Sequence, residues 1–342
     1  MNKIYFILFF LISVFTFSQS LEIETLLNDK ISIRAIQIWD GKVWYTGTDS
    51  KFGYVNLKDT LDKKQLKLSE KKLQFRTLAQ NDKKFYAINI ESPAYFFEID
   101  KENLFSKIVH TDTLKTAFYD ALHFINNKIA FAFSDPDKNY NVKIKTIIPC
   151  KNIYEFIHVG FSNHDNYKLK VGEAAFAASN TNIVSYKKTV WVATGGNASR
   201  IIKSSNLVDF EIFNTPFIQG ASSQGIYSID FYDKNFGIAV GGDYTKQSEN
   251  INNIATTNNG GETWQIQASG KNAGYMTCVK MRPKSKGKDI IAVGDQHISF
   301  SSDFGKTWTK ISDEKNLYVC EWIDKNTLIF AGKDRIIKAV LK

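Results

Sequence analysis

Residues 301–308 read Ser-Ser-Asp-Phe-Gly-Lys-Thr-Trp, and residues 257–264 read Thr-Asn-Asn-Gly-Gly-Glu-Thr-Trp. Both follow the pattern S-x-D-x-G-x-T-W, the second with Thr257 opening it and Asn259 in the Asp position. The chemistry asked of such a stretch is that of a turn. Asp303 or Asn259 accepts backbone N–H bonds, and Gly305 or Gly261 permits positive φ. Trp308 or Trp264 buries a large ring between sheets. Thr257, Asn259, Gly261, Trp264, Ser301, Asp303, Gly305 and Trp308 are therefore expected to be structural. The two Trp lie 44 residues apart, which is the length of one four-stranded repeat of a β-propeller. Ser204-Ser205-Asn206 reads as an eroded third copy.

Working outward, a short apolar strand followed by Gly, Ser or Glu and an acidic turn recurs along the chain. The copies are KVWYTGTD at 42–49, KFYAINIE at 84–91, NKIAFAFSD at 127–135 and TVWVATGG at 189–196. NFGIAVGGD at 235–243, DIIAVGD at 289–295 and NTLIFAGKD at 326–334 continue the series. Their anchors Gly47, Glu91, Ser134, Gly195, Gly241, Gly294 and Gly332 are spaced by 38–61 residues. An earlier strand precedes each copy, at 32–36, 74–78, 118–122, 174–178, 226–230, 275–279 and 317–322. The expected fold is all-β: a single seven-bladed β-propeller of four-stranded units. The leftover strand LEIETL at 21–26 is expected to close the last blade and remove its open edge.

The N-terminus places Lys3 before an apolar run at 4–15 and a Thr-Phe-Ser-Gln site at 16–19. That is the pattern of a signal peptide cleaved after Ser18, and the run is shorter than the ~20 residues that span a bilayer. The expected division is residues 1–18 as signal and 19–342 as propeller, with no integral membrane segment in the mature chain. The protein is thus expected in the periplasm or secreted, as a monomer. Cys150, Cys278 and Cys320 are odd in number, which excludes a fully paired disulfide framework. Cys278 and Cys320 could bond only on neighbouring strands, and two buried free thiols are the expected state.

The chain carries 44 Lys+Arg against 35 Asp+Glu, a formal net charge of +9. Only five of the cations are Arg: Arg34, Arg76, Arg200, Arg282 and Arg335. A nucleic-acid surface uses guanidinium forks on phosphates and base edges, so a Lys-heavy excess argues against nucleic acid as the partner. No G-x-G-x-x-G or G-x-S-x-G motif is present, so no cofactor or nucleophile elbow is expected. His110, His123, His158, His164 and His297 show no ligand spacing apart from His158 and His164 with Asp165, and no metal site is expected.

With the two turn motifs, VGGDY at 240–244 and GEAAFAASNTNI at 172–183, the chain resembles the photosystem II stability/assembly factor-like proteins, exported Asp-box (BNR-type) propellers. Ser32-Ile33-Arg34, Glu91-Ser92-Pro93-Ala94, Ser134-Asp135-Pro136 and SQGIYS at 223–228 support the likeness across the mature chain. The resemblance implies a non-catalytic assembly factor for a membrane complex. Bacterial relatives are often labelled oxidoreductase, but no motif here supports redox chemistry.

In a propeller the first strand of each unit lines the central channel. Alternation then points Arg34, Arg76, Asp120, Ala177, Ser228, Thr277 and Val319 inward. The turns add Asp49, Glu91, Asp135, Asp243 and Asp295 on one face. Arg34, Arg76, Asp120, Glu91, Asp135, Ser228, Asp243 and Asp295 are therefore the candidate binding residues, holding a protein partner of the cell envelope by charge-assisted bonds. No catalytic residue is assigned. The alternative is a sialidase-like or other glycan-acting hydrolase or lectin, for which Tyr119 beside Asp120, or Tyr227 near Asp230, would imitate part of the site. The loop KMRPKSKGK at 280–288 is expected on the opposite face, where its charge would suit anionic lipid or an envelope polymer.

Overall fold

Runs of β-branched and aromatic residues between turn residues build most of the longer strands among the described residues. In Thr189–Ala193 (TVWVA) all residues after the first are buried, as expected of a strand packed on both faces. A computed structural model describes residues 19–148 and 168–342. The expected signal peptide at 1–18 lies outside the described residues, as do Cys150, His158, His164 and Asp165.

The fold is an all-β propeller, and its blade count corrects the expectation: six blades, not seven. The described strands form six hydrogen-bonded sheets. The closing sheet runs, in spatial order, Leu317–Trp322, Thr327–Leu341, Leu21–Trp39, Lys42–Gly47, Lys51–Asn56 and Lys63–Lys67. Next come Ala79–Gln80, Lys84–Ile88, Ala94–Asp100 and Ser106–Asp112, then Tyr119–Asn126, Ile129–Ser134 and Lys143–Ile147. Ile183–Tyr186, Thr189–Ala193, Arg200–Ser204 and Glu211–Asn214 form the fourth sheet. The fifth contains Gln224–Phe231, Gly237–Asp243, Ile254–Thr257 and Gln265–Ile266, extended by the two-residue strands Gly195–Gly196 and Glu173–Ala174. Cys278–Met281, Ile290–Gly294, His297–Ser301 and Thr309–Ser312 make the sixth.

The count differs because the repeat counts strands, whereas a blade is defined by which strands share hydrogen bonds. Thr327–Leu341 and Leu21–Trp39 each run unbroken through the units that the repeat places last and first. Leu21 pairs with Leu341 and Thr25 with Ile337, while Ile38 of the same strand pairs with Val43. The two units therefore share one sheet.

Side chains between the sheets make the core. Trp191 stacks on Phe231 at 3.8 Å, and Trp264 meets Phe231 edge-on at 6.0 Å. Cys278 and Cys320 are buried free thiols with their Sγ atoms 3.7 Å apart, well beyond a disulfide bond length.

The two motif turns close alike. Ser301 Oγ accepts from the Gly305 N–H at 3.0 Å, and Thr257 Oγ1 from the Gly261 N–H at 3.0 Å. Asp303 Oδ1 accepts from the Thr307 N–H at 2.9 Å, and Asn259 Oδ1 from the Thr263 N–H at 3.0 Å. The Trp308 and Trp264 indoles donate back to the Gly305 and Gly261 carbonyls at 2.9 and 3.0 Å. Gly305 and Gly261 have φ of +81° and +87°, and a Cβ on Gly305 would lie 2.8 Å from the Ile238 side chain. Asp303→Ala removes acceptors for the backbone and the hydroxyl of Thr307, and should cost about 1–2 kcal/mol in urea unfolding. An unchanged midpoint would show that the turn closes without its carboxylate.

Candidate functional site

The segment 175–181 (AFAASNT) decides what the channel can do. The sequence reads 174–178 as an inner strand; in the structure only Glu173–Ala174 is a strand, paired to Gly195–Gly196. Beyond it the chain crosses the channel, and its small residues Ala177, Ala178 and Ser179 let the backbone pass close to the surrounding strands. Arg34 Nη1 donates to the Ala178 carbonyl at 3.0 Å and Arg76 Nη1 to the Ala177 carbonyl at 3.5 Å. Asn180 donates to the Leu78 and Leu122 carbonyls at 3.0 and 3.1 Å and accepts from the Leu122 N–H at 2.8 Å. Ser179 Oγ donates to the Thr277 carbonyl at 2.7 Å, and Thr181 Oγ1 bonds Ser228 Oγ at 2.7 Å. One segment thus ties five sheets together and closes the channel.

On one side of this plug is a cavity of about 290 Å³, lined by Arg34, Arg76, Phe176, Tyr227, Tyr275 and Asp295, with Tyr244 and Gln247 at its edge. Phe176 stacks on Tyr227 at 4.0 Å, Tyr275 meets Tyr227 edge-on at 4.8 Å, and the Arg34 guanidinium lies 4.0 Å over the Tyr318 ring. Burial, and then the charge of Arg34, push the Arg76 pKa down, while Asp120 and Glu91 oppose them. Neither Arg34 nor Arg76 forms a salt bridge within 4.0 Å among the described residues. Burial raises Asp295 and Arg34 opposes it; Gln247 Nε2 donates to its carboxylate at 3.0 Å. Two guanidinium groups under mutual repulsion, in an aromatic-walled recess, favour an incoming carboxylate.

Beyond Phe176 lies a wider recess of about 700 Å³, lined by Glu91, Lys115, Asp135, Asp137, Glu173 and Tyr140 among others. Behind it Asp120 is fully buried against the Asp135 carboxyl. Both Asp120 oxygens and Asp135 Oδ1 lack a donor. A proton shared between the two carboxyls gives one oxygen of each a partner, since ionised carboxylates only accept. Burial, reinforced by Asp135, raises Asp120 well above its ordinary 3.8, against the pull of Arg76. Burial also raises Asp135, to about 6, with Asp120 and Lys143 working the other way.

A raised folded pKa means stability that is present below 3.8 and lost as pH rises through the folded value. Asp120→Asn keeps a donor toward Asp135 without a proton to lose. It should therefore stabilise the protein by about 1–3 kcal/mol at pH 8, the gain fading by pH 4. Thermal melts across that range check it, and a variant that melts lower than the native chain at pH 8 would refute the shared proton.

The remaining expected site residues divide. Glu91 is exposed and lines the wider recess. Asp243 caps its own turn, accepting from Thr245 N and Oγ1 at 2.9 and 2.6 Å, and Ser228 accepts from the Val279 N–H at 3.0 Å in the interior. Both bond within the fold, and neither lines the cavity of Arg34 and Arg76. Of the hydrolase candidates, the buried Tyr119 hydroxyl donates to Asp112 at 2.8 Å, and Tyr227 donates to the Ser223 carbonyl at 2.8 Å. Asp230 accepts from the Met281 N–H at 2.7 Å, so neither tyrosine is set against the acid that the sequence suggested. Sequence reasoning missed Phe176, Tyr227 and Tyr275 as cavity walls. Alternation would send Tyr227 to the face opposite Ser228, but the strand's register shifts between Ile226 and Ser228, at Tyr227 itself.

On the far side of the plug a chamber of about 220 Å³ is lined by Gln37, Gln80, His123, Asn180, Lys280 and Glu321 among others. Its polar side chains have partners within the fold: Lys280 with Glu321 at 2.7 Å, Gln80 with Gln37 at 3.0 Å and His123 with Ser185 at 2.8 Å. Burial holds His123 down at about 4, so it is neutral near pH 7. Among the described residues no group of three metal-ligating side chains occurs, and no helix is long and apolar enough to cross a membrane.

No family model matches the chain, and no curated protein matches it. Solved structures do. The structure of YCF48 bound to D1 peptide aligns with a TM-score of 0.63 at 11% identity, covering 94% of this chain and 97% of that one. The WD40 repeats of RRP9 align with a TM-score of 0.64 at 9% identity, covering 94% and 97%. U3-55K aligns with a TM-score of 0.62 at 10% identity, covering 93% and 98%. At these identities the likeness establishes the propeller fold.

Proposed function

We propose that the protein is a non-catalytic, exported binding scaffold that takes part in assembling cell-envelope complexes. On this reading it works as a monomer in the periplasm or outside the cell. It captures a carboxylate-bearing segment of a partner protein at the mouth lined by Arg34 and Arg76. The observation that carries the proposal is the pair of guanidinium groups, anchored by backbone carbonyls and without a carboxylate ion pair, in a 290 Å³ aromatic recess. Its mechanism is recognition on a preformed surface, since the plug holds both Arg side chains before any partner arrives. The structural neighbour YCF48, a photosystem II assembly factor, is itself seen with a peptide, which supports peptide capture as a use of this fold.

The test is fluorescence anisotropy with labelled peptides that differ only in a free or an amidated C-terminal carboxyl. A charge-assisted bond to Arg is worth about 1.5–3 kcal/mol, so the free acid should bind roughly tenfold to a hundredfold tighter. Equal affinity for the two peptides would remove the carboxylate from the proposal.

A further inference from the structure

Strand Ile290–Gly294 runs from the basic loop at 282–289 to Asp295 at the Arg-lined mouth. The loop therefore belongs to the face opposite the mouth, where two other turns join it. The Phe304 N–H donates to the Lys288 carbonyl at 3.0 Å, and the Phe304 ring meets Phe236 edge-on at 5.6 Å. Gly287 lies so close to both Tyr232 and Phe236 that a Cβ there would sit 3.2 and 2.8 Å from them. The result is one contiguous patch drawn from 232–236, 282–289 and 303–306.

Two features of the patch are left facing solvent. Tyr232 and Phe304 keep 41% and 40% of their surface exposed although both sit at turn tips. Around them Lys234, Lys284, Lys286, Lys288 and Lys306 are exposed. Among the described residues none of these five lies within 4.0 Å of a carboxylate. The neighbouring acids are already engaged. Asp233 accepts from the Asn235 and Phe236 N–H groups at 2.8 and 2.7 Å. Asp303 closes its own turn, and Asp289 holds Arg282 at 3.0 Å. Glu262 on the adjacent turn is held by Lys203 at 3.0 Å.

We propose that this patch docks the protein on the surface of an anionic lipid bilayer, with the Tyr232 and Phe304 rings at headgroup depth and the five lysines over the lipid phosphates. Flexible lysines suit a fluid array of charges that offers no fixed geometry for a guanidinium fork. Exposed aromatic rings gain from an interface that is apolar on one side and wet on the other, which a fully hydrated polyanion does not offer. Docked this way, the protein presents the Arg34 and Arg76 mouth away from the bilayer.

Flotation of the purified protein with lipid vesicles tests this. It should float with phosphatidylglycerol-containing vesicles and not with pure phosphatidylcholine, and binding should weaken with added salt. Each lysine near an anionic surface contributes roughly a fivefold factor in partitioning. The exposed triple variant Lys284→Gln, Lys286→Gln and Lys288→Gln should therefore bind roughly a hundredfold more weakly at an unchanged melting temperature. Tyr232→Ser with Phe304→Ser should also weaken vesicle binding while leaving binding to soluble polyphosphate unaltered. Full vesicle binding by the lysine variant, or equal binding to the neutral lipid, would overturn the proposal. Full vesicle binding by the aromatic variant would overturn it as well, and would make the patch a general polyanion surface.

Discussion

With Arg34 and Arg76 both replaced by alanine, capture of a carboxylate-terminated peptide should fall by about a hundredfold, while the melting temperature stays within a few degrees. The two guanidiniums are the cations that line the mouth, and they face it without a salt-bridged carboxylate. Removing them takes away the charge-assisted donors together with the field that draws an anion in. The structural cost is small because the freed acceptors, the Ala178 and Ala177 carbonyls, lie at a solvent-accessible recess where water can replace a bond of 3.0 or 3.5 Å. Relief of the repulsion between the two cations offsets part of that cost. Arg34→Lys with Arg76→Lys keeps the charge and loses the planar fork, so it should recover only part of the affinity. Unchanged capture by the folded double alanine variant would end the proposal that this mouth is the binding site.

Deleting residues 19–28 should do the greatest damage to stability. Leu21, Glu22, Ile23, Glu24, Thr25, Leu27 and Asn28 pair with residues 335–341 of the last strand. Leu26 and Leu27 are buried, at 3% and 6% exposure. Each buried leucine contributes about 1.5–3 kcal/mol, and each lost ladder bond about 1 kcal/mol. Together these approach the 5–15 kcal/mol that holds a whole domain folded. The truncated chain should melt more than about 10 °C lower, or lose its cooperative transition, and the bared edge of Thr327–Leu341 should favour aggregation. Differential scanning calorimetry measures both effects. A cooperative transition at the native temperature would show that the closing pairs contribute little.

Both predictions rest on residues the sequence had singled out, and the reasons differ. The strand at 21–26 was legible because it stood outside the repeat and had to find an edge. Arg34 and Arg76 were singled out by strand alternation, yet Arg34 sits at a register shift and Arg76 lies outside the described strands, so the rule reached them without the regular strands it assumes. The same rule failed at 174–178, where the chain leaves the sheet and plugs the channel. Asp120 and Asp135 were each expected at the site, but not as a pair sharing a proton behind it. Asp243 bonds its own turn, and Ser228 bonds Thr181 and Val279, each about fifty residues away in sequence. The wall of Phe176, Tyr227 and Tyr275 could not be assembled from positions scattered over some hundred residues.

By itself the sequence determined what short-range physics controls: strands from apolar runs, turns from Asp, Asn and Gly, and the repeat that makes a propeller. These depend on contacts within about ten residues. Tertiary structure alone decided the blade count, the plugged channel and which charges are left without partners. Each of those depends on ring closure, which pairs residue 21 with residue 341 and brings the segments around residues 34, 76 and 178 against one another. The +9 of the composition shows the difference most plainly. It is a sum over the chain, whereas the fold places two arginines at the mouth on one face and five exposed lysines beside two exposed aromatic rings on the other.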